Sequence, residues 1–247
     1  PTIGQYVPTT AINIGSDLKV GLAIENVSTY GMGDFRVRYW LINNKREVEV
    51  EKWLDYDTLA PSDVLFDTVS FATETFAGDY TIWMEVNPED SLWHKEQYHF
   101  NNTAFKAFET TADNRNPLLD VTFDGIHILN GDIVAPSPEI VMQLKDENPL
   151  LLLTDTSTFE VFLTLPNGTQ ARVPFFVNGL KNMIFEPAAN TQNKARLTWL
   201  PDNLADGKYS LSVIAKDASG NLSGNTSYKI DFEVVNRSTV SSVMNYP

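Results

Sequence analysis

Cysteine is absent from this 247-residue chain. That removes disulfides, thiol nucleophiles and Cys-based zinc or iron–sulfur centres in one step, and it leaves export open. Long apolar runs are missing too: the longest, Leu150 to Leu153, falls far short of the roughly 20 residues that span a bilayer. No transmembrane segment is expected. Histidine is scarce, with 3 in all. His94 and His99 are an odd number apart, which on one continuous strand turns them to opposite sides, and His127 is remote from both; no His-Glu-x-x-His or His-x-His pair exists. Positive charge is also short, 18 Lys and Arg against 32 Asp and Glu, for a net charge of −14. The deficit is uneven: residues 1–113 hold 8 basic against 18 acidic residues (−10), the remainder 10 against 14 (−4). A polyanion would meet repulsion without counterion release, so nucleic acid is not an expected partner.

What the chain has in quantity is apolar and aromatic: 43% hydrophobic residues, with 14 Phe, 9 Tyr and 5 Trp. That is enough apolar surface to offset the entropy of ordering a globular chain. Its pattern has period two. Leu18, Val20, Leu22 and Ile24 share one side; Phe35, Val37, Tyr39 and Leu41 do the same with Arg36 and Arg38 opposite; Tyr80, Ile82, Met84 and Val86 repeat the theme. In Glu47-Val48-Glu49-Val50-Glu51 the glutamates share a side, as suits an edge strand where charge discourages edge-to-edge pairing. Turn signals fall between these runs: Tyr30–Asp34, Asn43-Asn44-Lys45, Ala60–Asp63, Ala77-Gly78-Asp79 and Asn87–Asp90. The alternation resumes at Leu119-Val121-Phe123, Ile140-Met142-Leu144, Phe159-Val161-Leu163, Leu197-Trp199, Tyr209–Ala215 and Ile230-Phe232-Val234, with Pro166-Asn167-Gly168 as a strong hairpin turn. No stretch of about a dozen residues carries helical periodicity.

The reading is an all-β chain of two tandem immunoglobulin-like β-sandwich domains. Between the two strand sets, Thr110–Pro117 is polar, aperiodic and closed by a proline. The expected domains are therefore residues 1–113 and 114–240, with 241–247 as a linker.

Residues 17–109 resemble the bacterial adhesion-related CARDB modules. The likeness rests on Asp17-Leu18-Lys19-Val20, on Ala77-Gly78-Asp79-Tyr80-Thr81-Ile82 before a late strand, and on Asn101-Asn102 before the final strand. Residues 116–247 resemble the Ig-like module near the C-terminus of large Bacteroidetes proteins exported by the type IX secretion system. Here the likeness is carried by Asn116–Gly125, Asn130-Gly131-Asp132-Ile133-Val134 and Gln143–Asn148. The tail Ser238–Pro247 resembles the entry to their C-terminal sorting domain. Many such proteins carry a gingipain-like cysteine peptidase domain upstream. The resemblance implies an extracellular or outer-membrane-surface location, with the type IX machinery and other domains of a longer parent chain as partners, the sorting domain itself lying beyond Pro247. Pro1-Thr2-Ile3-Gly4 includes no initiator Met and no leader, so an export signal is expected upstream. Peptidase activity does not follow, because the family nucleophile is a cysteine.

Catalytic constellations are poor. Gly31-Met32-Gly33 lacks the third glycine of a dinucleotide fingerprint and precedes a strand, and no Gly-x-Ser-x-Gly elbow exists. Asp55/Asp57 and Glu89/Asp90 read as solvated loop acids. Asp217-Ala218-Ser219-Gly220-Asn221 follows a strand and offers oxygens that suit Ca²⁺, with Asp206, Asp146 or Glu147 as further ligands if the fold brings them near. The competing reading is a β-turn in which Asp217 caps its own backbone and Gly220 supplies positive φ. No cofactor is expected beyond that structural Ca²⁺. Trp40, Trp53, Trp83 and Trp93 all fall in the first half; Trp53 and Trp83 are candidates for stacking on a glycan or protein ligand, against the alternative of packing roles. The Bacteroidetes likeness also implies O-glycosylation of the Asp-Ser/Thr-apolar triplets, at Thr58, Thr68 and Ser91. The chain is therefore expected to be non-enzymatic, a spacer or adhesion module linking an upstream domain to a sorting signal. The alternatives are an accessory region of a secreted gingipain-like peptidase and a carbohydrate-binding module.

Overall fold

The computed structural model describes residues 2–6, 11–88, 96 and 99–236. It divides into two compact units, Pro1–Asp113 and Asn114–Pro247. Among the described residues every regular element is a β-strand except a 3₁₀ turn at Thr156–Thr158. Both units are immunoglobulin-like β-sandwiches.

In the first unit the strands are β1 (Thr2–Tyr6), β2 (Ala11–Asn13), β3 (Leu18–Glu25), β4 (Phe35–Asn43), β5 (Val48–Tyr56), β6 (Val64–Phe71), β7 (Gly78–Val86) and β8 (Thr103–Thr111). Sheet β1-β3-β6 faces sheet β2-β8-β7-β4-β5. The alternation decides which side chains meet. Leu18, Val20, Leu22 and Ile24 of β3 close on Phe35, Val37, Tyr39 and Leu41 of β4 and on Tyr80, Ile82, Met84 and Val86 of β7 in one buried cluster. The acidic strand β5 lies at the sheet edge, where its glutamates reach water and its backbone is guarded by charge. A register shift at Leu41/Ile42 pairs Ile42 with Val48 and leaves Val48 exposed.

The second unit contains β9 (Leu118–Phe123), β10 (Asp132–Val134), β11 (Ile140–Lys145), β12 (Phe159–Thr164), β13 (Gln170–Arg172), β14 (Phe176–Val177), β15 (Leu180–Lys181), β16 (Met183–Glu186), β17 (Lys194–Trp199), β18 (Gly207–Ala215) and β19 (Tyr228–Val234). Sheet β10-β19-β18-β12-β13 packs on sheet β16-β17-β11-β9. Phe123, Ile140, Met142, Leu144, Phe159, Val161, Leu197, Leu211, Val213 and Phe232 form its core. In each unit one short strand runs parallel to a long one, β2 beside β8 and β10 beside β19. The Pro166-Asn167-Gly168 turn joins β12 to β13, with Gly168 at φ 83° and the Asn167 side chain accepting from Thr169 N. Gly207 is sterically required: at φ 148° an added Cβ would stand 2.6 Å from the Pro166 ring. Strands β14 and β15 form a separate two-stranded hairpin outside both sheets.

Candidate functional sites

The outer face of the first unit's larger sheet carries Trp40, Trp53 and Trp83. Parity puts Trp83 outward on β7, and register sets it beside Trp40 on β4 and Phe105 on β8. Its ring stacks on Trp40 at 6.0 Å and on Phe105 at 4.7 Å between centroids. The row continues sideways: the Arg38 guanidinium stands 4.6 Å over Trp40 and 5.4 Å over Trp53, and Arg36 is 5.9 Å from Trp53. Glu51 accepts from Trp53 Nε1 at 2.8 Å and from Arg38 Nε at 2.9 Å. Arg36 Nε donates to Asp55 at 2.6 Å, and that guanidinium holds the Asp55 carboxyl below its ordinary range. The rings thus stand against one another across the strands. Trp83, a candidate for ligand stacking weighed against a packing role, is flanked on both sides, because β4 and β8 each place a ring beside it. Trp53, 39% exposed, keeps access to solvent. Trp93 lies outside the described residues.

At the edge between the two sheets of this unit, Tyr39 and Tyr56 share a 3.0 Å hydrogen bond, and Tyr56 donates to Asp67. Burial pushes the Tyr39 hydroxyl up to about 12, and it raises Tyr56 as well, helped by the bond to Asp67. Lys52 of β5 donates to the Ser70 carbonyl of β6. These links close the side of the sandwich. Of the candidate glycosylation residues, Thr58 and Thr68 are exposed, Thr68 on β6 directly after Asp67. Ser91 falls outside the described residues, as do His94, Glu89, Asp90 and the tail from 237 onward.

The second unit holds the acidic candidates. Asp217 follows β18 and is 3% exposed. Its Oδ1 accepts from Asn221 N and its Oδ2 from Asn221 Nδ2, both at 2.8 Å, while Asp217 N donates to Asn221 O at 3.0 Å. Gly220, at φ 91°, permits the reversal. The self-capping turn foreseen for these residues is present. Asp146, at the end of β11 and 2% exposed, brings a carboxylate oxygen within 4.8 Å of one from Asp217. Asn193, fully buried, orients that group: its Nδ2 donates to Asp146 Oδ2 at 3.1 Å and to the Asn148 and Leu151 carbonyls, and its Oδ1 accepts from Leu153 N at 2.8 Å. A pocket of about 370 Å³ opens at this end, lined in part by Thr154, Asp155, Ser157, Lys216, Asp217 and Ser219.

Asp206 does not join this group. It precedes the nine-residue strand β18 whereas Asp217 follows it, so at about 3.3 Å per residue the two stand near opposite ends of the sandwich, roughly 30 Å apart. Asp206 Oδ1 instead accepts from Asn236 N and Nδ2. Of the further residues weighed beside Asp217, Asp146 is the one the fold brings near and Asp206 is not. Nothing local in the sequence distinguishes Asn193, which does most of the positioning; its only cue is an Asn within the polar stretch Asn190-Thr191-Gln192-Asn193, where positive φ is tolerated. His127, exposed, sits 2.6 Å from Asp120, away from the Asp146 and Asp217 group.

No family model matches this chain, and no curated protein matches it. Among solved structures it is similar to the CARDB domain of a Pyrococcus furiosus protein in complex with di-metal ions. The TM-score is 0.37 at 16% identity, over 45% of this chain and 93% of that one. It is also similar to red sea bream transglutaminase, with a TM-score of 0.33 and 11% identity over 96% of this chain. A third likeness is to dimeric latent PorU of Porphyromonas gingivalis, with a TM-score of 0.37 and 13% identity over 98% of this chain. The chain spans 31% of the transglutaminase and 23% of PorU. The class defined by the chain's own strands and cores is a pair of all-β sandwich modules, and the functional reading rests on its residues.

Proposed function

We propose that this chain is a non-catalytic pair of extracellular spacer or adhesion modules. In a longer parent protein they would couple an upstream functional domain to a type IX sorting signal. The supporting observation is that each unit has its own closed core, while the buried polar side chains of the second unit are spent on tying loops together. Asn193 binds the 146–153 segment and Asn221 closes on Asp217. Such groups make a module stiff, which suits spacing and presentation. The runner-up, an accessory region of a gingipain-like peptidase, is supported by the same sequence resemblance.

In-frame deletion of residues 1–236 from the parent gene in its host separates the two. The spacer reading expects the parent to remain active in a lysate and to lose surface display; loss of activity in the lysate favours the accessory role. The purified chain is expected to turn over no peptide or ester library, and turnover abolished by one point substitution would overturn the reading. For the calcium expectation, Asp146 and Asp217 form the carboxylate pair to test. At an effective dielectric of about 20, two unit charges at such a separation repel by roughly 3 kcal/mol, which a shared cation offsets. Thr58 and Thr68 are proposed as O-glycan acceptors, checked by intact mass of protein from the native host.

A further inference from the structure

In a chain with 32 acidic residues, no Asp or Glu occurs between Glu160 and Glu186. The charges in that interval are Arg172 and Lys181. At its centre lies the β14–β15 hairpin, with Phe176 opposite Lys181 and Val177 opposite Leu180. Asn178 and Gly179 make the turn at φ 51° and 80°, both positive, as a two-residue hairpin turn of the tighter type demands. All six residues from 176 to 181 are exposed: Phe176 by 61%, Val177 by 45% and Leu180 by 76%. The base is fastened to the second unit, with Asn182 N donating to Phe175 O and Asn182 Nδ2 to Pro174 O at 2.8 Å, and Phe175 packing on the core. The hairpin is therefore held at its root while its tip has neither face covered.

Strand alternation places Val177 and Leu180 on one face of this ribbon and Phe176 and Lys181 on the other. A flat protein partner would cover one face and leave the other wet. A medium that surrounds the tip buries both. The ribbon from Phe176 to the turn reaches roughly 7–10 Å at about 3.3 Å per residue, comparable with the ~5–10 Å by which interfacial segments enter the headgroup and acyl boundary. Lys181, opposite Phe176 at the base of the ribbon, would then stand at headgroup level with its stem along the apolar layer. Arg172 is paired with Glu160 at 3.7 Å, so Lys181 is the cation the hairpin itself presents, and it favours anionic headgroups over neutral ones.

We infer that the β14–β15 hairpin is a shallow membrane-contact element that inserts Phe176, Val177 and Leu180 into a bilayer surface bearing anionic headgroups. The inference goes beyond the spacer reading and does not depend on it. The test is cosedimentation of the full chain with vesicles of phosphatidylcholine mixed with phosphatidylglycerol, compared with phosphatidylcholine alone. The wild type is expected to partition onto the mixed vesicles, less as salt rises. Leu180→Asp is expected to reduce partitioning by ~10-fold or more, from the loss of one buried leucine. Lys181→Glu is expected to weaken binding to the mixed vesicles and leave binding to phosphatidylcholine unchanged. Both residues are exposed, so unchanged melting curves establish that the variants are folded, and Phe176→Ser serves as a second variant if Leu180→Asp fails to fold. Absence of wild-type cosedimentation, or equal cosedimentation of wild type and Leu180→Asp, overturns the inference. So does a self-association that Leu180→Asp abolishes in the absence of vesicle binding, which would make the occupant a second copy of the chain.

Discussion

The first unit carries the greater acidic excess, yet each buried polar side chain described in it is neutral: Asn26, Thr73, Asn87, Asn102 and Thr110. The second unit is less acidic and buries two carboxylates, Asp146 and Asp217. Acid content therefore does not locate candidate chemistry. Charge in the first unit serves solubility and edge protection, on β5 above all, and its outer face is held by rings and guanidiniums stacked across strands. In the second unit a few charges are drawn inward by loops that a buried amide organises. The two units use the same device at different reach. Asn26 binds segments close to it, the Tyr30 carbonyl and Ser28, plus Leu59 across the fold, whereas Asn193 holds groups 40 to 47 residues away in sequence.

The sharpest test of that contrast is the pair of amides. Asn193→Ala is expected to destabilise the second unit by about 3–4 kcal/mol, because it strands several buried donors and acceptors at once. Asn26→Ala is expected to cost the first unit less, about 2 kcal/mol, since Tyr30 and Ser28 lie near water. Calorimetry resolving two transitions checks both figures, and a single transition affected equally by either change would show that the units do not unfold separately.

Alkaline titration probes the first unit most strongly, because Tyr39 and Tyr56 are both raised there, against Tyr228 in the second. Tyr39 has its folded pKa raised to about 12 from an ordinary value of 10.0. The folded state then retains a proton that the unfolded state releases. The contribution is fully present below pH ~10 and is lost as pH rises toward ~12, by roughly 2–3 kcal/mol over that window. Tyr39→Phe should flatten this dependence, and a slope unchanged by the substitution would show that other groups cause it.

Calcium tests the second unit. If a cation bridges Asp146 and Asp217, Ca²⁺ at ~100 times its dissociation constant raises stability by about 2.7 kcal/mol over EDTA. Asp146→Asn should abolish the response, and Asp206→Asn should leave it intact. A melting curve indifferent to Ca²⁺ returns Asp217 and Asn221 to the status of a self-capped turn.

The smallest effects concern the tryptophans. Trp83→Ala, which opens a gap between two rings, is expected to cost about 2 kcal/mol, and Trp53→Ala under ~1 kcal/mol. If a glycan array shows binding that Trp53→Ala abolishes, the aromatic face is a ligand site and the carbohydrate-binding reading gains.

The strands of both cores were legible from side-chain alternation, because a period of two leaves a local trace in the sequence: Leu18 to Ile24, Phe35 to Leu41 and Tyr209 to Ala215 each name their own buried face. So were the protective role of the acidic edge β5 and the Pro166-Asn167-Gly168 turn. The Asn178-Gly179 hairpin had a readable signal as well, Asn-Gly between Val177 and Leu180, although its full exposure on both faces did not follow from it. The pairing of Asp146 with Asp217, the exclusion of Asp206, the central role of Asn193 and the flanking of Trp83 by Trp40 and Phe105 were settled only by tertiary structure. Each depends on strand register and on which end of a sandwich a loop reaches. Such quantities come from pairings between residues tens of positions apart, and the sequence alone carries no local mark of them.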